Sequence, residues 1–163
     1  MTAPIKTQLI QATMVGYAGA KNGGATVYAL LDLIHNTLHI HEQKPRAETR
    51  FKTAAVISND TALAQCDFLF KDKDIKAAVD AYFYYQNSGR LTFSDSTAGT
   101  RPNIETHALT ESGFDVRIYD GITCAQMAVL AACLQAQASH EIVRTLDAFQ
   151  KINGSDDLLI TTV

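Results

Sequence analysis

The chain has 163 residues, of which 47% are hydrophobic and 19% are charged, and its formal net charge is −3. This length fits one domain over residues 1–163, and the scattered Lys and Arg exclude the basic footprint of a nucleic-acid binder. No apolar run is long enough to predict a membrane span, and the first residues lack the apolar centre of a signal peptide, so we expect a cytoplasmic protein.

The sequence indicates no cofactor. Its three cysteines, Cys66, Cys124 and Cys133, form no CxxC pair. They are therefore expected to be free thiols rather than parts of a disulfide framework or a zinc knuckle. The phosphate-binding GK[ST] motif is also absent from the glycine-rich stretch near residue 20.

The N-terminal part of the chain predicts a β-hairpin. Residues 7–18 contain Thr, Val and Tyr in loose alternation, which favours a strand. The Asn22-Gly23 pair that follows is typical of a type I′ turn, because both central residues of that turn need positive φ. A two-residue loop at this pair would place Met14 opposite Leu31.

Residues 25–34 and 38–43 are expected to continue this hairpin as a three-stranded meander. Because side chains alternate, the meander has two faces. The first face is small and apolar: Met14, Gly16, Ala18, Val27, Ala29, Leu31, Leu33, Leu38 and Ile40. The second face is mixed: Val15, Tyr17, Tyr28, Leu30, Asp32, Ile34, His39 and His41. Monomers seldom expose a mixed patch of this kind, so it predicts a self-association surface, the floor of a ligand site, or cover by a later segment of the chain.

The middle of the chain predicts one helix and several short strands. Residues 51–58 favour a fourth strand, although their TAAVIS segment could equally start a helix. Asn59-Asp60 is expected to be a break before a short helical piece that runs through about Cys66, and residues 72–87 predict a helix with one apolar face. A polar loop is expected at 94–103. Further strands are predicted at 91–93, 104–109, 114–118 and 157–163.

Residues 123–154 predict one long C-terminal helix, or two helices with a joint near Ala138–Ser139. Thr123 and Gln126 have the spacing of a capping box, and Gly154 is a suitable stop. Apolar residues between them recur every three or four positions and predict a continuous stripe: Met127, Leu130, Leu134, Ala138, Ile142, Leu146 and Phe149. The fold class is therefore α+β, an antiparallel sheet packed on two main helices of which the C-terminal one is long.

Cys124 is the candidate nucleophile, because the N-terminus of a helix stabilises a thiolate. His107 or His140 is the candidate base. The simpler interpretation is that Cys124 is a small buried side chain among alanines, and no surrounding motif contradicts it.

Asp32, His39 and His41 are the candidate metal ligands. In the assumed register Asp32 lies opposite His41, and two imidazoles with one carboxylate can hold zinc or iron. His35 falls on the other face and is not expected to join them. The simpler interpretation is a solvated or interface surface.

A non-catalytic binding protein is the function that these patterns favour. Its binding residues would be Tyr17, Tyr28, Asp32, His39 and His41, with Arg101 of the 94–103 loop as a further anion contact. We expect self-association through the second face, most simply as a homodimer, with a protein or small-molecule partner that the sequence does not identify. The alternatives are a hydrolase or transferase that uses Cys124 and a metal-dependent enzyme.

Overall fold

The computed structural model describes residues 7–17, 24–41, 43–44, 52–63, 66–95, 100–102, 104–110, 113–118 and 122–152. Only the backbone is described for residues 52–54, 104–110, 113–118, 143 and 147–152. The predicted Asn22-Gly23 turn, the stop at Gly154 and the predicted last strand 157–163 lie outside the described residues.

Six strands form one mixed sheet: β1 (Thr7–Val15), β2 (Gly24–Asp32), β3 (Thr37–His41), β4 (Lys52–Ser58), β5 (Phe68–Leu69) and β6 (Leu91–Phe93). Their order across the sheet is β5-β4-β1-β2-β3-β6. The central strands β1, β2 and β3 pair antiparallel, which confirms the predicted meander. On either side β4 joins β1 and β6 joins β3 in parallel, so only the centre of the sheet is antiparallel. A separate hairpin is formed by β7 (Ile104–Thr110) and β8 (Gly113–Ile118).

The predicted register of the first hairpin is wrong. Met14 lies opposite Ala25 instead of Leu31, a shift of six positions. The strand ends at Val15 because Gly16 adopts a φ of 84° and turns the chain out of the sheet. The side-chain amide of Asn59 then accepts from the backbone N–H of Val15 and donates to its carbonyl. Since six is an even number, the shift leaves each side chain of the two strands on its predicted face.

Two helices complete the fold: α1 (Ile75–Asn87) and α2 (Cys124–Ile152). The capping box at the start of α2 is confirmed, since Thr123 N–H donates to Gln126 Oε1 and Gln126 N–H donates to Thr123 Oγ1. The short helical piece expected between Asp60 and about Cys66 is wrong for the described residues of that stretch, which hold a turn at 61–62.

The core lies between the first face of the sheet and the helices. Helix α2 contacts β1, β2, β3 and β4, and α1 packs against α2. The predicted first-face residues that the structure describes in strands are buried, including Met14, Ala29 and Ile40. The face of α2 that meets them is rich in alanine, which allows close approach: Ala128, Ala131, Ala132 and Ala136 are all buried.

The apolar stripe of α2 continues beyond this core. Met127 and Leu130 are buried, whereas Ile142 is 62% exposed and Leu146 is 58% exposed. The stripe was therefore correct as a pattern on the helix, but its second half is not part of the core. Neither described helix combines the length and the apolar character that crossing a membrane requires.

Candidate functional site

The second face of the sheet is turned away from both helices. Val15, Tyr28, Leu30, His39 and His41 are all partly exposed on it. Leu9 on the same face is buried, so solvent does not reach the face at that point. This mixture of exposed and half-buried groups is the surface on which the sequence predicted binding.

A pocket opens on this face where β2 ends and β3 begins. Its volume is about 370 Å³. The lining comes from four strands and the turn after α1: Thr7, Leu30, Asp32, Thr37, Leu38, His39, Gly89, Arg90 and Thr92. An apolar floor with a few convergent polar groups is typical of a small-molecule site.

Asp32 holds the turn between β2 and β3. Its Oδ1 accepts from the backbone N–H groups of Ile34 and His35, each at 2.9 Å, and its Oδ2 lies 2.9 Å from Nδ1 of His35. His35 was expected on the other face, apart from the cluster of Asp32, His39 and His41, but the turn brings its imidazole back over the Asp32 carboxylate.

The predicted placement of Asp32 opposite His41 is also wrong. Asp32 pairs with Thr37 and His41 pairs with Tyr28. Four residues along a strand separate these pairs by roughly 13 Å, whereas ligands of one zinc ion each lie about 2 Å from it. In the part of the chain that the structure describes, no three His, Cys, Asp or Glu side chains are placed to hold a metal ion.

His39 and His41 are neighbours on β3. Their rings meet edge to face with centroids 4.4 Å apart. His39 Nδ1 lies 2.5 Å from the hydroxyl of Thr92 on β6. This contact fixes the orientation of the His39 ring at the edge of the pocket.

Arg90 is held at the wall of the pocket by several contacts. Its Nη1 donates to the carbonyl of His35 at 2.7 Å, and its guanidinium carbon lies 5.9 Å from the ring centre of Tyr84. Its backbone N–H donates to Tyr85, and its carbonyl accepts from Leu38. The Nε atom is buried and has no hydrogen-bond partner among the residues that the structure describes.

Two pKa shifts follow from this arrangement. Partial burial acts to raise the pKa of Asp32, but the backbone N–H groups and the imidazole of His35 outweigh it and lower the pKa below its ordinary value. Burial, together with the neighbouring His39, lowers the pKa of His41. Near neutral pH the pocket therefore presents an ionised Asp32, and the neutral form is favoured for His41, which lies outside the pocket lining.

Two predicted binding residues lie elsewhere. Tyr17 packs against the core instead of joining the second face, because the strand has already ended at Val15. Arg101 lies outside the pocket, where Nη1 donates to Gln86 and the guanidinium stacks 4.5 Å from the ring centre of Phe93.

Cys124 is buried at the start of α2. Its sulfur lies 3.3 Å from the backbone nitrogen and 3.6 Å from the carbonyl oxygen of Tyr17. His140 lies sixteen positions further along the same helix, roughly 24 Å away at about 1.5 Å per residue, and cannot act as its base. The side chain of His107 lies outside the described residues. This geometry favours the interpretation of Cys124 as a core thiol.

Replacing Cys124 by Ala is expected to retain the fold and lower the free energy of unfolding by about 1 kcal/mol, because only one buried sulfur is lost. Urea denaturation measures this change. In the folded wild type, iodoacetamide near neutral pH should modify the partly exposed Cys66 first and leave Cys124 largely intact. Faster modification of Cys124 than of Cys66 would instead indicate a reactive nucleophile.

Sequence reasoning missed His35, Arg90 and Thr92. The carboxylate of an aspartate in a turn often accepts hydrogen bonds from backbone N–H groups two or three residues further on. This signal could have placed His35 next to Asp32. Arg90 and Thr92 reach the pocket only because β6 pairs with β3, and no local pattern marks that pairing.

Comparisons with protein-family models, with curated proteins and with solved structures found no match to this chain. The function therefore has to be inferred from the geometry of the described residues.

Proposed function

We propose that this chain is a small cytoplasmic binding protein without catalytic activity, and that its ligand occupies the pocket at the β2–β3 end of the second face. The observation that carries the proposal is the pocket itself. It combines the apolar side chain of Leu30 with polar groups from separate elements, namely Asp32, His39, Arg90 and Thr92. Its volume of about 370 Å³ suits a small organic molecule.

The polar groups of the pocket support binding better than catalysis. A general base must reach the proton that it removes. Both carboxylate oxygens of Asp32 already accept hydrogen bonds within the turn, and His39 Nδ1 is paired with Thr92. These groups are positioned by the fold and would orient a ligand without reacting with it.

Amide NMR spectra of isotope-labelled protein, recorded with a library of small fragments, test this proposal. Binding should shift the signals of Thr37, His39, Gly89 and Thr92 together. Thr92→Arg should abolish these shifts because it fills the pocket from an exposed position. The matched control is Thr145→Arg, which adds the same side chain in a second pocket, the α2 groove, lined by Ala138, Glu141, Ile142, Thr145 and Leu146.

Three results would contradict the proposal. The first is that fragments shift only residues of the α2 groove, and the second is that no fragment binds in the pocket. Chemical conversion of a bound fragment by the wild type, lost in Thr92→Arg, would show an enzyme instead.

We also propose that the second face mediates self-association. Ile34 is 56% exposed beside this face, and Val15, Tyr28 and Leu30 on it are only partly covered. Aromatic and aliphatic groups with a polar rim are typical of contacts between copies of a chain. A symmetric contact would cover the same residues on both protomers.

The double variant Val15→Glu with Tyr28→Glu is expected to be a soluble monomer, while the wild type is a dimer at tens of micromolar. Each carboxylate buried at a symmetric contact costs several kcal/mol, and neither residue lines the pocket. The matched control is Ala77→Glu with Asn87→Glu, which adds the same charge on the exposed side of α1. Light scattering measures the mass, and a monomeric wild type would contradict self-association.

A further inference from the structure

The pocket contains a charged group, the guanidinium of Arg90, whose surroundings indicate the kind of ligand it would bind. Among the described residues the close contacts between basic and acidic side chains are those of Asp32 with His35 and of Glu141 with Arg144. Arg90 therefore lines the pocket without a described carboxylate partner. A partly buried guanidinium favours an anion that replaces the water it has lost.

The Asp32 carboxylate does not neutralise Arg90 in this arrangement. Its two oxygens accept from the backbone of Ile34 and His35 and meet the imidazole of His35. Its hydrogen-bonding capacity is therefore used within the turn. Among the described residues that line the pocket, the guanidinium of Arg90 is therefore the charged hydrogen-bond donor that remains available to a ligand.

Arg90 is also preorganised. Nη1 is fixed by the carbonyl of His35, the guanidinium stacks on Tyr84, and the backbone is bonded on both sides to Tyr85 and Leu38. A side chain that is already ordered loses little further entropy when it binds. The buried Nε without a partner shows that the guanidinium is not fully satisfied by the described residues.

We propose that the pocket binds a small molecule that carries one carboxylate, with the carboxylate on Arg90 and the apolar part over Leu30. This inference rests on the proposed function and specifies its ligand class. A singly charged group suits a pocket whose described lining holds one guanidinium and one aspartate. A phosphate brings nearly two negative charges at neutral pH and would be repelled more strongly by Asp32.

Paired probes that differ only in charge test the proposal on the wild-type protein. Butyrate and benzoate should each bind at least about tenfold more tightly than butyramide and benzamide, because a hydrogen bond to a charged group is the stronger one. Inorganic phosphate should bind more weakly than either carboxylate. Amide NMR titration measures all five affinities and locates the site by the shifts of His39, Gly89 and Thr92.

Variants of Arg90 provide the second arm. Arg90→Gln should reduce carboxylate affinity at least about tenfold, and Arg90→Lys should reduce it less because the charge remains. Arg144→Gln, which removes an exposed charge on α2, should change nothing. Circular dichroism verifies the fold of each variant, and the paired probes on the wild type decide the matter if Arg90→Gln does not fold.

The outcomes separate this inference from the proposed function. Amides that bind in the pocket as tightly as carboxylates, or phosphate that binds more tightly, would overturn the carboxylate assignment and leave the binding function standing. Unchanged carboxylate affinity in folded Arg90→Gln would do the same. If no probe and no library fragment shifts the pocket signals, both the carboxylate assignment and the proposed binding function are overturned.

Discussion

Asn36→Ala is expected to lower the free energy of unfolding by about 2–4 kcal/mol, from left-handed strain and from an unpaired buried hydroxyl. Asn36 is buried in the turn before β3 with a φ of 55°. Its Oδ1 accepts from the hydroxyl of Tyr85 at 2.6 Å. Tyr85 is fully buried on α1, so the turn that shapes the pocket is fastened to the helix by this bond.

Two further variants separate the contributions. Asn36→Gly keeps the left-handed conformation and loses only the amide, so it should cost less than Asn36→Ala. Tyr85→Phe removes the hydroxyl. The side-chain nitrogen of Asn36 can still donate to the hydroxyl of the neighbouring Tyr84, 3.4 Å away. Because Asn36→Ala and Tyr85→Phe break the same bond, their combined effect should be smaller than the sum. Urea denaturation measures each value, and a change below about 0.5 kcal/mol for Asn36→Ala would show that the turn is not anchored in this way.

The sequence could predict which residues of the meander are buried because burial depends on local alternation. Met14, Ala29 and Ile40 alternate along their strands with residues of the second face. This alternation does not depend on which strand is the partner. Register depends instead on the length of the connection, and the Asn22-Gly23 signal suggested a shorter connection than the one that follows Gly16. An error of six positions could leave the faces intact only because it was even.

Tyr17 shows where alternation fails. The alternation of side chains continues through residue 17 in the sequence, but the strand ends at Val15. The left-handed Gly16 then turns Tyr17 towards α2. Glycine in a strand pattern is a known sign of such a break, although it does not say which way the chain turns.

The pocket was predictable only in part. His39 and Asp32 were correctly placed on the second face, because both lie in regular strands. Arg90 and Thr92 were not, because their position depends on the parallel pairing of β6 with β3 across some fifty residues of chain. Pairing of distant strands is decided by the packing of the whole sheet and leaves no periodic trace in the sequence.

Leu130→Ala and Leu146→Ala should differ strongly although both residues belong to one predicted stripe. Leu130 is fully buried, so its truncation is expected to cost about 2–5 kcal/mol through lost burial and a residual cavity. Leu146 is 58% exposed. Its truncation should change the free energy of unfolding by no more than about 0.5 kcal/mol, since alanine is also a good helix former.

The comparison of these two variants by urea denaturation tests where the core ends along α2. Both substitutions are chemically identical and lie on the same helix, so propensity effects largely cancel. A cost above about 1 kcal/mol for Leu146→Ala would mean that its apolar surface is covered in solution, because exposed leucines contribute less than that. A cost for Leu130→Ala near that of Leu146→Ala would mean that α2 does not pack on the sheet through its alanine-rich face.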